Sequence, residues 1–232
     1  MDELAAVLAE NRYPGRVVLW CRTGDGSRLG AYALTGRSTA SRARSLHLDA
    51  RGDLVVAPTE VREHDHLRHY VAARQVADRL VYGNGEQVET VADRLAAGQH
   101  PGPALGGLDY EPDPPIFTPR LTVVAGGPSG GEAWFGSARR SDADRPSTNR
   151  ITVQVSGLRP GEAVLMTTYR SDGHTIATGS PFLEARTTSA TRDDLLDELW
   201  SALHPDYRIA AAVFEPGALP AVNLREVTTG YR

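Results

Sequence analysis

The stretch "RVVLWCRTGDGSRLGAYALT", residues 16–35, decides the fold class. Two apolar runs, 16–22 and 29–35, flank "TGDGS", a tight turn with two glycines. A link this short joins antiparallel neighbours, because a parallel crossover needs a dozen or more residues. The pattern recurs. "SLHLDARGDLVVAPT" reads as a second hairpin turning at 50–53, where Gly52 supplies permissive backbone, and "YVAARQV" and "RLVYGNG" add two strand-like runs. Further on, "RLTVVAG", "GEAWFGS", "RITVQVS" and "AVLMTTY" read as four more strands, with the polar loop "ARRSDADRPSTN" between the second and third. "YRIAAAVFE" is the last.

Helical spacing interrupts this series. Leu4, Val7 and Leu8 mark a short amphipathic helix within 2–11. "EQVETVADRLAAG" sets Val88, Val91 and Leu95 on one face and stops at Gly98. "GPALGGLDYE" reads as a weaker helix that carries Asp109, Tyr110 and Glu111 at its end, before the proline-rich "PDPPIFTP". Thr191 caps a final helix with an apolar stripe of Leu195, Leu196, Leu199, Trp200 and Leu203. The expectation is an α+β protein of mostly antiparallel sheet, two sheets with helices outside them. It is read as one domain over 1–232, with 1–12 as a helical extension.

Composition narrows the chemistry. All 25 basic residues are arginine, which excludes Schiff-base chemistry, a Walker lysine and a lysine base. Any anion is held by guanidinium forks or backbone amides. The single cysteine, Cys21, excludes an internal disulfide and most cysteine metal sites. No apolar run approaches the roughly 18 residues of a membrane helix, and the acidic start "MDELAAVLAENRYPG" lacks the basic region of a signal peptide. A soluble cytoplasmic protein is expected. The net charge of -4 and the lack of a basic-aromatic stripe speak against nucleic acid as a partner.

Four stretches carry candidate chemistry. "ALTGRSTASRARSL" groups Arg37, Arg42 and Arg44 with Ser38, Thr39 and Ser41, a composition suited to phosphate. "DYEPD" sets Asp109, Glu111 and Asp113 beside Tyr110, and neighbouring carboxylates raise one another's pKa toward the range of proton transfer. "EHDHLRHY" offers His64, His66 and His69, which fit neither strand nor helix spacing for one metal. "YGNGE" puts Asn84 between two glycines ahead of a helix. Each has a plain alternative as a solvated loop or turn. A nucleophile freed at the N-terminus by self-processing is disfavoured, since Met1 is followed by Asp2 and Cys21 lies within a strand.

Taken in order, "YPGR" (13–16), "TGRSTASR" (35–42), "VVAPTE" (55–60), "YGNGEQVETVADRLAAG" (82–98) and "LDYEPD" with "TPRLTVV" (108–124) resemble the archaeal-type IMP cyclohydrolases. The resemblance runs from about Tyr13 to Tyr169 and is fainter in the C-terminal third. It implies a four-layer αββα sandwich of N-terminal-nucleophile-hydrolase type, without self-processing. It implies closure of 5-formamidoimidazole-4-carboxamide ribotide (FAICAR) to inosine 5′-monophosphate (IMP) and water, with no metal or organic cofactor.

Carried over residue by residue, the resemblance assigns Arg42, Tyr70 and Glu111 as catalytic. Arg42 would polarise an oxygen, Tyr70 relay a proton, and Glu111 act as base or orient that network. Arg37, Ser38 and Asn84 would bind phosphate or base, with Gly85, Asp109 and Tyr110 completing the substrate contacts. The chain departs from the family at Asp65-His66, where Asn-Pro is usual. A same-fold enzyme closing a related ring on a purine-like nucleotide, and a nucleotide-binding module without turnover, stay open as alternatives. A homo-oligomer is also open, with no interface located by the sequence.

Overall fold

The structure is a computed structural model. It describes residues 1–60, 67–128, 130–141, 146–179 and 181–227. In chain order the elements are β1 (Asp2–Glu3), α1 (Leu4–Glu10), β2 (Arg16–Arg22), β3 (Arg28–Thr35), α2 (Thr39–Arg42), β4 (Arg44–Leu48), β5 (Leu54–Pro58), β6 (Tyr70–Val76) and β7 (Arg79–Gly83). There follow α3 (Gln87–Ala96), α4 (Pro101–Ala104), β8 (Arg120–Gly126), β9 (Ala133–Arg140), β10 (Thr148–Val155), β11 (Glu162–Thr167), β12 (Arg170–Ser171) and β13 (Ile176–Ala177). The chain ends with β14 (Phe182–Arg186), α5 (Arg192–Ala202), β15 (Arg208–Phe214) and β16 (Val222–Glu226).

Two seven-stranded sheets result. One runs β1-β14-β11-β2-β3-β15-β16, and the other β10-β9-β8-β7-β6-β5-β4. The opening hairpin pairs in the register its turn dictates, Arg22 opposite Arg28 and Arg16 opposite Leu34. The second sheet is an antiparallel meander throughout, and in the first the short β1 pairs in parallel with β14.

Strand alternation explains the layers. On β2, Val18 and Trp20 point into a cluster shared with Tyr32, Leu46, Val56, Ala72, Leu121 and Phe135, which fills the space between the sheets. Val17, Leu19 and Cys21 point the other way, onto Leu4 and Leu8 of α1 and Leu195, Leu196 and Leu199 of α5. A strand covered on both faces needs a continuous apolar run, and "VVLWC" supplies it. The outer face of the second sheet is covered by α3 and α4 through Val88, Val91, Leu95 and Ala104. Each of these leucines contributes roughly 1.5–3 kcal/mol by leaving water. Helix α5 starts with a reciprocal capping box between Thr191 and Asp194, as its sequence signals. Among the described residues no helix is long and apolar enough to cross a membrane.

The weaker helix expected up to Glu111 ends at Ala104 instead. Arg94 Nη1 donates to the carbonyls of Ala104 and Gly106 at 2.8 and 2.7 Å, closing the turn, and Gly107 then takes a φ of 69°. Residues 108–113 follow without regular secondary structure, tied down where Glu111 N donates to the Thr118 carbonyl at 2.9 Å. Strands β14 and β16 were not expected from the sequence. Both lie toward the sheet margin and mix polar with half-buried apolar residues, so their periodicity is faint.

Candidate functional site

At one end of the inter-sheet layer the apolar pattern gives way to polar side chains of the same parity. Arg16 precedes Val18 and Trp20 on the inward face of β2, and Arg44 precedes Leu46 on the inward face of β4. Tyr32 and Tyr70 face inward from β3 and β6. A cavity of about 470 Å³ opens there, within the usual range for small-molecule sites. Among the described residues its walls carry the arginines Arg16, Arg37, Arg44 and Arg68 and the carboxylates Glu111 and Asp113.

Arg16 and Arg44 are 6% and 5% exposed, which makes them buried charges needing compensation. Arg16 Nε donates to the Tyr70 hydroxyl at 3.3 Å, and that hydroxyl lies 2.7 Å from the Tyr32 hydroxyl. Burial works against the Arg16 charge, but Tyr70, Glu111 and Tyr32 outweigh it and hold its pKa well above the usual value. Arg44 donates to the carbonyls of Ser41 at 2.7 Å and Thr35 at 3.1 Å. Its pKa is lowered, first by burial and then by the Arg16 guanidinium.

Glu111 is 3% exposed and lines the cavity. Burial pushes its pKa up to about 7; Arg16 pulls it down and Asp113 pushes it up further. A carboxyl poised near neutrality takes up and releases protons at physiological pH. Asp113 is spent locally, accepting from Thr118 N and Thr118 Oγ1 at 2.6 Å each. Thr118 Oγ1 lies 2.6 Å from the Tyr169 hydroxyl, whose pKa burial raises to about 12. Tyr169 stacks on Tyr13, ring centroids 5.6 Å apart, and the Arg37 guanidinium lies 5.7 Å from the centroid of the Tyr13 ring.

The structure thus brings Arg37, Ser38 and Glu111 to one cavity, with Tyr70 one hydrogen bond behind its wall. It does not bring Arg42 there. That side chain is exposed on the outer side of α2 and donates to the Asp206 carbonyl. Arg42 is the last residue of the one-turn helix α2, and β4 begins two residues later with Arg44, which occupies the buried position instead. Asn84 is also away from the cavity surface. Its Nδ2 donates to the Pro119 carbonyl at 2.8 Å and its Oδ1 accepts from Leu121 N at 2.6 Å, which makes it a structural clamp on β8. Asp109 and Tyr110 turn toward the start of β10: Asp109 accepts from Thr148 Oγ1, and the Tyr110 hydroxyl donates to the Pro146 carbonyl at 3.1 Å. Gly85 abuts Glu111 from below, its lack of a side chain leaving room for the carboxylate.

His64 and His66 lie outside the described residues, as does Asp65. Sequence reasoning missed Arg16, Tyr13, Thr118 and Tyr169 as cavity residues. The signal was present, since Tyr13 and Arg16 bound the "YPGR" stretch and Thr118 opens "TPR".

Residues 13–215 match the family described as IMP cyclohydrolase-like protein. The chain is similar to an IMP cyclohydrolase of Methanopyrus kandleri, 28% identical over 161 residues, which cover 68% of this chain and 75% of that protein. It is also similar to an IMP cyclohydrolase of Natronomonas pharaonis, 38% identical over 117 residues, covering 47% of this chain and 57% of that protein.

Proposed function

The chain belongs to the family of IMP cyclohydrolase-like proteins, and from that premise we propose that it closes the six-membered ring of a purine nucleotide, converting FAICAR to IMP and water. One observation supports this reading most: a buried carboxyl with a pKa near neutrality, Glu111, sits beside Arg16 in an arginine-rich cavity. The guanidinium groups of Arg16, Arg37 and Arg44 on its walls suit an anionic nucleotide.

The chemistry asks for three things. The carboxamide nitrogen must be held against the formyl carbon, an effect of orientation. It must lose a proton as the C–N bond forms, and Glu111 is the base in reach of the cavity. The formyl oxygen gains negative charge, is protonated, and leaves as water when the former formamide nitrogen gives up its hydrogen. Arg16 and Arg44 supply the positive field for that oxygen, and Tyr70, bonded to Arg16, relays its proton. Arg37 and Ser38, nearer the exposed rim, take the 5′-phosphate. This reassigns the oxygen-polarising role from Arg42 to Arg44.

The stack of helices, sheet, sheet and helices is read as a four-layer αββα fold of N-terminal-nucleophile-hydrolase type that does not process itself. The reading includes one domain and a cytoplasmic place of work. The test is turnover of FAICAR to IMP followed by ultraviolet absorbance, with Glu111→Gln and Arg44→Ala beside the wild type. Rapid closure lost in both variants is expected. Binding of IMP without closure by the wild type would sink the proposal.

A further inference from the structure

The amide network at the start of α3 leaves one acceptor over. Asn84 is oriented by its bonds to Pro119 and Leu121, and it orients Gln87 in turn. Gln87 Nε2 donates to Asn84 Oδ1 at 3.2 Å and to the Leu121 carbonyl at 3.1 Å. Gln87 Oε1 is therefore an acceptor, buried, with no donor among the described residues. A buried acceptor without a partner is rare enough in native proteins to need a reason.

Gly85 shows where that acceptor points. A Cβ built on Gly85 would lie 2.7 Å from Gln87 Oε1 and 3.3 Å from Glu111 Oε1. Both oxygens face the same small space, which stays open because residue 85 has no side chain. Two acceptors facing one space repel when Glu111 is a carboxylate, and attract when it carries a hydrogen to donate. The charged groups around Glu111 pull in both directions. Arg16 on β2, Arg120 on β8 and Arg44 on β4 favour the carboxylate, while Asp113 on its own loop opposes it, with the Tyr169 phenol also facing it.

We infer that Gln87 is a positioning residue for the proton carried by Glu111: its side-chain carbonyl faces the Glu111 carboxyl across Gly85 and favours the neutral acid. Its catalytic meaning rests on the reading of Glu111 as the base; its geometry does not. Gln87 then keeps the base neutral enough to hold the proton taken from the substrate until the departing oxygen needs one.

The test titrates the Glu111 carboxyl in the substrate-free protein by infrared difference spectroscopy, with Glu111→Gln identifying its band. Gln87→Met removes both the donor to Asn84 and Leu121 and the acceptor toward Glu111, whereas Gln87→Glu keeps an acceptor toward Glu111. Gln87→Met should lower the titration midpoint by about one pH unit, a tenfold shift in the proton equilibrium. Gln87→Glu should hold it or raise it. The acid limb of the pH–rate profile for FAICAR should follow the midpoint, with KM changed by less than about twofold. Equal shifts in the two variants, or an unmoved midpoint in Gln87→Met, overturn the inference. If Gln87→Met does not fold, a midpoint below wild type in Gln87→Glu overturns it. Shifts of the expected sign in a protein that closes no FAICAR would uphold Gln87 and overturn the cyclohydrolase reading. Turnover with an immobile midpoint would do the reverse.

Discussion

The hydroxyls of Tyr32 and Tyr70 lie 2.7 Å apart, one from each sheet, both buried. Burial raises the Tyr32 pKa well above its ordinary value, so Tyr32 stays a phenol and holds the Tyr70 oxygen in place. Arg16 Nε holds the same oxygen from the other side.

If Tyr70 relays a proton, Tyr70→Phe should lower kcat by about 100-fold, in the range of general acid–base contributions. Tyr32→Phe should lower kcat less than tenfold, and stability by about 1 kcal/mol, because a buried oxygen loses one partner. Steady-state turnover and urea unfolding of both variants check the pair.

Glu111 carries a sign for pH. Its pKa in the folded protein, about 7, lies above its ordinary value of 4.5, so the stability it contributes is fully present below about 4.5 and is lost as pH rises through about 7. The gap corresponds to about 3 kcal/mol at most. Glu111→Gln should therefore gain stability over wild type across that window, read by urea midpoints at successive pH values. The same titration should make wild-type kcat/KM climb with pH toward neutrality. A flat profile would remove Glu111 as the base.

Arg44 and Arg42 separate the buried position from the exposed one. Arg44→Ala removes the guanidinium assigned to the developing oxyanion, so kcat/KM should fall by tenfold or more, and the lost bonds to the Ser41 and Thr35 carbonyls should lower stability by about 1.5–3 kcal/mol each. Arg42→Ala should change kcat/KM less than about threefold, since an exposed side chain contributes little. The opposite ranking would return the oxygen-polarising role to Arg42.

Thr191→Ala should cost about 1 kcal/mol through the lost cap of α5, with kcat unchanged, because α5 packs on the far face of the first sheet from the cavity. Thermal unfolding and turnover of this variant separate stability from function.

Much of the fold was legible because its signals are local. The turn at 23–27, the glycine at 98 and the Thr191 cap each act within a few residues, and the elements form as they indicate. The stretch 102–111 reads as one helix in sequence but does not form one, because its end depends on Arg94 reaching across from α3. Of the residues that "DYEPD" and "GRSTASR" single out, Glu111, Asp113, Arg37 and Ser38 line the cavity, while Asp109, Tyr110 and Arg42 turn elsewhere.

The sequence by itself determined antiparallel sheets, through turns too short for crossovers, and that no lysine holds an anion, through the absence of lysine. The tertiary structure decided which arginines and which carboxylate meet. Strand parity sends Arg16 and Arg44 into the inter-sheet layer, and a 54-residue separation places Tyr70 beside Arg16. Burial there, a property of the packed sheets and of no single segment, is what lifts Glu111 to a neutral pKa.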